Sequence, residues 1–343
     1  KKPKVLVAMS GGVDSSVAAL LMKNFGFQVI GAFMKNWSGT KNDLGECTWK
    51  DDRRVATQIA SRLRIPLITL DFEKQYRKEV IGEMFKLYKK GVTPNPDVDC
   101  NNKVKFPLLW KAAKKLKANF VVTGHYAKIK KENNKYELFR AADESKDQSY
   151  FLYRLSQKDL SHSLFPIGSL SKKNVREIAE KNDFENFNRK STVGICFVGK
   201  VNLKQFLQKK IKPKQGKIID PNGKQIGVHD GIYYYTIGQR VGPRFGLEIQ
   251  KGKETKRWYV AKKDLKNNEI TAAPEKHKIL YKKEISIKNP HWINETPEKN
   301  KSQNVRSRIR QVGELLPSKL IYDKDRKCFK IILNKPITGV SEG

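Results

Sequence analysis

The sequence predicts an α/β protein: a doubly wound parallel sheet, followed by a small β domain and a C-terminal β-barrel. Three observations predict it. From residue 4 to about residue 125, short apolar runs alternate with helical periods, the pattern of a parallel sheet covered by helices. A glycine-rich turn, Ser10-Gly11-Gly12-Val13-Asp14-Ser15-Ser16, joins the first apolar run to the first helical one. From about Gly216 the texture changes to short strands separated by Pro, Gly and Asn.

Taken in order, residues 5–9 (VLVAM) read as a buried strand, and residues 17–22 (VAALLM) as helix that stops at Gly26. Residues 29–33 form a second strand, 51–63 an amphipathic helix, 66–70 a third strand and 74–89 a helix. A helix over 103–116 leads into a strand over 119–123. Residues 126–140 read as a hairpin with Asn133-Asn134 at its turn, and helical segments run on to about Lys190. Later strands are expected at 217–220, 233–237, 258–261, 269–272, 306–310 and 328–333. In sheets of this kind ligands bind beyond the carboxyl ends of the strands. The 10–16 loop, Met34 and Thr123-Gly124-His125 all lie at such ends and are expected to converge.

A chain of 343 residues exceeds one ordinary core. We divide it into residues 1–200, 201–275 and 276–343. The chain ends soon after Gly339, where a turn before a further strand is expected, so the last domain reads as incomplete. Four scattered cysteines give neither a disulfide framework nor a zinc pattern, and they suit a reducing compartment. No apolar run approaches the roughly 18 residues of a membrane span; with a strand expected from residue 5, no leader is expected, and the expected location is cytoplasmic. The net charge of +35 points to a polyanion such as nucleic acid, although lysine far outnumbers arginine, a bias that genome composition alone can produce.

Strand, glycine-rich turn and helix start is the arrangement that cradles a phosphate, with backbone N–H groups aimed at the anion. Ser10, Ser15 and Ser16 add hydroxyl donors, and Asp14 is placed to hold magnesium. The spacing is neither G-x-x-x-x-G-K-[ST] nor G-x-G-x-x-G. Two cysteines stand out. Cys100 follows the loop Thr93-Pro94-Asn95-Pro96-Asp97 and is expected just ahead of a helix N-terminus, where the dipole favours thiolate. Cys196 lies between Gly194 and Gly199, after the cations Arg189 and Lys190. Cys47 and Cys328 have no such setting and read as structural.

The loop resembles the SGGxDS signature of the PP-loop ATP pyrophosphatases, and the whole chain resembles the tRNA-specific 2-thiouridylase family within them. The likeness rests on residues 10–16, Gly31-Ala-Phe-Met-Lys-Asn-Trp37, Asn95-Pro-Asp97, Cys100-Asn-Asn-Lys-Val-Lys-Phe106 and Thr123-Gly-His-Tyr-Ala127. Ser145-Lys-Asp-Gln-Ser-Tyr-Phe-Leu-Tyr153, Gly194-Ile-Cys-Phe-Val-Gly199 and Tyr235-Thr-Ile-Gly-Gln-Arg240 extend it. Val193 and Arg53-Arg54 depart from the family pattern.

The resemblance implies a PP-loop fold and binding of ATP, with Mg2+, by Ala8, Met9, Ser10, Gly11, Gly12, Val13, Asp14, Ser15, Met34 and Gly124. It implies contact of Asn95, Pro96 and Asp97 with the target base, with Asp97 as acid or base. His125, Lys146, Asp147, Gln148, Arg308 and Ile309 would touch tRNA. Arg306, Arg308 and Arg310 would share one face of a strand. Cys196 would carry sulfur as a persulfide and Cys100 would act as a nucleophile, with a transient Cys100–Cys196 disulfide in each cycle. The implied reaction is 2-thiolation of wobble uridine in tRNAs for Lys, Glu and Gln by a monomer, supplied by a cysteine desulfurase or relay protein. An adenylating synthetase of another PP-loop branch, or a thiolase for another RNA position, is the alternative; an RNA-binding module without ATP chemistry is the reading from a different class.

Overall fold

The computed structural model describes residues 2–40, 47–190, 198, 202–242, 247–249, 257–311 and 313–343. They divide into two compact units: Lys1–Gly82 with Pro96–Val201 and His291–Thr296, and Glu83–Asn95 with Asn202–Pro290 and Pro297–Gly343.

The first unit is built on a parallel sheet. Strand β1 (Lys4–Ala8), helix α1 (Val13–Asn24), β2 (Gln28–Lys35), α2 (Thr48–Arg62) and β3 (Leu67–Asp71) follow one another. A helical stretch continues from α3 (Glu73–Tyr76) through a π-turn segment (Arg77–Gly82) into α4 (Glu83–Lys89) of the second unit. Another runs from α5 (Pro96–Asp99) through a second π segment (Cys100–Lys105) to α6 (Phe106–Lys115), ahead of β4 (Phe120–Val122). Strands β5 (Ala127–Glu132) and β6 (Lys135–Arg140) form the expected hairpin, and α7 (Gln157–Ser161), β7 (Ser163–Leu164) and α8 (Lys172–Lys181) complete the unit. Asn133 and Asn134 both have positive φ, as a two-residue type I′ turn requires.

The sheet order is β3-β2-β1-β4-β7, parallel throughout. The order reverses between β1 and β4, the place where open α/β sheets bind ligands. Alternation along β1 fills both faces. Val5 and Val7 join Val29 and Phe33 under α1, α2 and α8, while Leu6 joins Ala32, Met34 and Val121 under Leu109 and Ala113 of α6. The two-residue β7 carries too little pattern to be seen in the sequence.

The second unit contains α9 (Leu203–Gln208) and two sheets. The small β domain comprises β8 (Gly216–Ile219), β9 (Gln225–His229), β10 (Arg240–Val241), β11 (Leu247–Ile249), β12 (Trp258–Asp264) and β13 (Glu269–Pro274), in the order β10-β12-β13-β8-β9-β11. The β-barrel domain is antiparallel, with β14 (Tyr281–Ile287), β15 (Gln303–Ser307), β16 (Leu316–Asp323) and β17 (Cys328–Thr338) in the order β14-β17-β16-β15.

Two expectations fail here. Residues 233–237 are not a strand: a 3-10 turn spans Ile232–Tyr234. Its aromatic residues are fixed by tertiary bonds, Tyr234 Oη donating to the Ile211 carbonyl and Tyr235 Oη to Asp230, which outweigh the strand preference of a tyrosine run. Nor do Arg306, Arg308 and Arg310 alternate on one strand. β15 ends at Ser307, so only Arg306 lies on it, and Arg310 donates to the Gly339 carbonyl at 2.8 Å.

Candidate active site

Beyond β1 the chain turns at Gly11, whose φ of +77° falls in the left-handed region. A Cβ at this position would stand 2.4 Å from the Asp52 carbonyl oxygen, so glycine is required by conformation and by contact. The loop is tied internally. Ser15 Oγ donates to the Gly12 carbonyl at 2.9 Å and accepts the Ser10 N–H at 3.1 Å, and Ser16 Oγ donates to the same carbonyl at 3.1 Å. It is also tied externally. Asn186 Nδ2 donates to the Gly11 carbonyl at 2.9 Å and to Ser16 Oγ at 3.0 Å. Arg189 donates to the Gly11 carbonyl at 3.3 Å and to Asp52 at 2.6 Å. Burial holds the Asp52 carboxyl above its usual range, against the pull of Arg189.

These bonds engage the loop's carbonyls, its side chains and the Ser10 N–H, and the Gly12 N–H donates to Ser10 Oγ at 3.3 Å. Helix α1 begins at Val13 behind Gly12, which as N-cap has no side chain to cap it, and the first N–H groups of the helix have no intrahelical acceptor. A phosphate completes such an end.

The expectation that Asp14 holds magnesium is corrected. Lys172 Nζ lies 2.6 and 2.7 Å from the two Asp14 carboxylate oxygens, and Tyr126 Oη donates to one of them at 2.8 Å. A carboxylate with both oxygens on an ammonium does not fit a divalent cation, which needs those oxygens itself. Among the described residues no three His, Cys, Asp or Glu side chains cluster as a metal site. Burial and the Asp14 charge push the Tyr126 hydroxyl far above its ordinary pKa, so it stays a donor.

Gly124, at the end of β4, packs directly on this helix start: a Cβ there would lie 2.7 Å from Asp14 C and Ser15 N. Met34 is buried on the α6 face of the sheet. Thus the 10–16 loop and Thr123-Gly124-His125 do meet at the carboxyl edge, at the switch point. His125 Nδ1 is 2.7 Å from Thr123 Oγ1, and Lys105 Nζ is 3.4 Å from Nε2. An ammonium only donates, so Nε2 accepts and Nδ1 carries the proton. Burial, reinforced by Lys105, holds the imidazole well below its usual pKa. His125 is therefore a neutral ring, stacked on Phe106 with centroids 5.9 Å apart.

Cys100 is not at a helix N-terminus. The helix starts four residues earlier, at Pro96, and runs to Lys115. Asn95 before Pro96 is a start signal, since proline suits the first helical position and lacks only an N–H that would be orphaned there. The asparagine and proline that read as loop are the helix start. Pro107 has no N–H for the carbonyl behind it, and the wider π-turn ahead accommodates its ring. Cys100 thus sits at the first π position, fully buried, and the dipole argument for its thiolate falls.

Hydrogen bonds tie this helix to the rest of the site. Asn101 Nδ2 donates to the Phe151 carbonyl at 3.1 Å, and Lys105 Nζ donates to Asn101 Oδ1 at 2.8 Å as well as to His125. Asp99, nearly buried, is paired with Lys103 at 3.0 Å and Arg154 at 3.4 Å. Asp97 is half-buried in the first turn.

Of the residues expected to touch RNA, Lys146 is exposed but Asp147 is 1% exposed. Asp147 accepts the Ala141 N–H at 2.9 Å and the Ser149 hydroxyl at 2.9 Å, so its carboxylate serves the fold. Gln148 Oε1 accepts the Tyr126 N–H at 3.0 Å. Arg308 and Ile309 are half-buried just after β15. Cys196 lies outside the described residues. Val198, two positions on, is buried, and its carbonyl accepts Thr40 Oγ1 at 2.7 Å. Asn186, Asp52 and Lys172 carry no signal of their own in the sequence, and Tyr126 is legible only as part of the Thr123–Ala127 segment. They lie up to 175 positions from the loop residue they support, beyond any local pattern.

A parallel sheet with an uncapped serine- and glycine-rich loop at its switch point defines a nucleotide-binding domain of the PP-loop class. Comparison with known proteins narrows this. Residues 3–200 match the family model described as a tRNA methyl transferase HUP domain, residues 204–274 its PRC-barrel domain, and residues 282–343 an aminomethyltransferase beta-barrel domain. A tRNA-specific 2-thiouridylase of Vesicomyosocius okutanii is 41% identical over 100% of this chain and 93% of its own length. Those of Geobacillus kaustophilus and Streptococcus pyogenes are 45% and 42% identical, covering 86% and 87% of this chain and 78% and 79% of theirs. The chain belongs to the tRNA-specific 2-thiouridylase family. Among solved structures, a 4-thiouridine synthetase–RNA complex with bound ATP is distantly similar, with a TM-score of 0.39 and 15% identity over 60% of this chain and 50% of that one. An NMN synthetase from Francisella tularensis gives a TM-score of 0.36 and 16% identity, over 56% and 66% of the two chains.

Proposed function

We propose that this tRNA-uridine 2-sulfurtransferase activates the C2 oxygen of wobble uridine with ATP and replaces it with sulfur carried on Cys196. The observation that carries this reading is the uncapped start of α1 behind the 10–16 loop, linked through Gly124, His125, Lys105 and Asn101 to the helix of Cys100. The C2 carbonyl of uridine is a poor electrophile and its oxygen a poor leaving group. Attack of that oxygen on the α-phosphorus of ATP forms a C2–O–AMP linkage and expels pyrophosphate. The outer sulfur of a Cys196 persulfide then attacks C2, and AMP leaves. Cys100 attacks Cys196 Sγ, the bond between the two persulfide sulfurs breaks with its electrons on the transferred sulfur, and 2-thiouridine and a Cys100–Cys196 disulfide result. A two-electron thiol reductant then reopens the disulfide, and a cysteine desulfurase or relay protein reloads Cys196.

The base must leave its stack to be reached. Asn95, Pro96 and Asp97, with Asp97 as proton carrier, and the exposed Lys146 remain our assignments for base and tRNA contacts. Among the described residues no helix is long and apolar enough to cross a membrane, which fits a cytoplasmic enzyme acting on tRNA. The test is nucleoside mass spectrometry of unmodified tRNA incubated with protein, ATP, magnesium and a sulfide source, comparing wild type with Cys100→Ala and Cys196→Ala. ATP-dependent 2-thiouridine that is reduced in both variants is the expected result. AMP formation without thiolated product, indifferent to either cysteine, overturns the reading in favour of an adenylating synthetase.

A further inference from the structure

We propose that Lys172 is a positioning residue of the nucleotide loop that acts through Asp14: it cancels the Asp14 charge beside the phosphate-binding N–H groups. The inference rests on the nucleotide-binding reading above. Asp14 lies in the first turn of α1, where a carboxylate suits the helix dipole but competes with the phosphate that the same dipole attracts. An unpaired negative charge at this point opposes a polyphosphate across a distance too short for salt to screen. Lys172 removes the conflict by spanning both carboxylate oxygens.

The lysine is held so that it acts on Asp14. Its side chain is 12% exposed, against 29% for Asp14. Its backbone N–H donates to Asp143 Oδ2 at 2.9 Å, and Ser171 before it caps α8 in a reciprocal box with Asn174. Its ammonium also lies 5.8 Å from the ring centroid of Tyr126, whose hydroxyl shares Asp14. With backbone, aromatic ring and carboxylate all engaged, Lys172 forms one neutral cluster with Asp14 and Tyr126.

The decisive measurement is the dissociation constant of ATP, with magnesium, by equilibrium dialysis, with a thermal melt of each variant. Lys172→Met is expected to weaken ATP about 10-fold or more, because it leaves an uncancelled charge beside the phosphates. Lys172→Arg should bind nearly as wild type. Asp14→Asn/Lys172→Met should regain most of the lost affinity, since no charge is left to cancel. Asp14→Asn alone should bind ATP at least as tightly as wild type, a result available even where Lys172→Met does not fold.

A double variant as weak as Lys172→Met means that Lys172 touches the phosphates itself and overturns the proposal. Unchanged affinity in Lys172→Met, or weaker binding in Asp14→Asn, overturns it as well. A wild-type protein that binds no ATP sinks the nucleotide reading together with this one, whereas wild-type binding with an indifferent Lys172→Met sinks only the role of Lys172.

Discussion

Replacing Gly11 with alanine tests whether the loop is fixed by contact as well as by conformation. An alanine there takes a φ of +77°, which costs an L-residue about 1–2 kcal/mol. Its Cβ would stand 2.4 Å from the Asp52 carbonyl oxygen, where real Cβ atoms essentially never come closer than 3.0 Å. Loop and helix must therefore separate by at least about 0.6 Å. The opposing atom is backbone in α2 and cannot rotate aside, so overpacking adds about 1–3 kcal/mol. The same displacement loosens the bonds from Asn186 and Arg189 to the Gly11 carbonyl. The sum is about 2–5 kcal/mol, or roughly 5–15 °C in the melting temperature of a unit this size. Gly12→Ala is the control, because Gly12 has an ordinary φ of −82° and its Cβ would meet only Ser10 Oγ, at 3.3 Å. Its loss should stay within about 1 kcal/mol. Differential scanning fluorimetry separates the two. A Gly11→Ala melt within 2 °C of wild type (roughly 1 kcal/mol), or a Gly12→Ala drop of equal size, refutes the reasoning.

Three further outcomes follow from buried polar groups. His125 resists protonation in the folded state while the unfolded chain takes a proton near 6.5, so the first unit should lose stability as pH falls below 6.5; chemical denaturation at pH 7 and 5.5 should show a smaller loss in His125→Gln, and an identical loss argues that the ring is not held neutral. Lys263 donates to the Tyr235 carbonyl at 2.8 Å, and burial pushes its ammonium down to about 8. The unfolded chain keeps that proton up to 10.5, so the second unit should gain stability from pH 8 to 10.5, by about 1–2 kcal/mol once the partial exposure of the head group is allowed for; a Lys263→Met variant with the same slope would rule this out. Asn36 is 1% exposed, and neither polar atom of its side chain has a partner among the described residues. Because it already carries its desolvation penalty, Asn36→Leu should leave the melting point unchanged or raise it, and a loss above about 1 kcal/mol would show an undetected partner.

How far the sequence reveals this molecule depends on how far apart the cooperating residues lie. The strands of the parallel sheet were legible because each is a short apolar run whose faces are filled by alternate residues, as Val5, Leu6 and Val7 show. The hairpin was legible because Asn133-Asn134 is local turn chemistry. The 10–16 loop was legible for the same reason: its glycines and serines satisfy one another within six residues. The collar around it was not. Asn186, Asp52 and Lys172 come to the loop from distant helices and turns, and nothing in their own neighbourhoods distinguishes them from surface polar residues; Arg189 stands out in the sequence only as a cation before Cys196, whereas it bonds the Gly11 carbonyl and Asp52. Asp14 was misread because the carboxylate was visible in the motif and its lysine, 158 positions on, was not.

Cys100 was misplaced by a different route. Asn, Pro and Asp are loop residues by composition and helix-start residues by position, and only the helical run that follows decides between them. Pro94, Pro96 and the Asn and Asp residues on either side of Cys100 carry the loop signal past the cysteine, so the run appears to start at about residue 103. The π-turn lets the helix continue through Pro107 and carries Cys100 inside it. The consequence is chemical: a thiol at an open helix end would owe its reactivity to the dipole, whereas a buried one must owe it to the groups packed around it. Asn101 and Lys105 tie this helix to Phe151 and His125, so the surroundings of the thiol are set by segments about 20 to 50 positions away in the sequence.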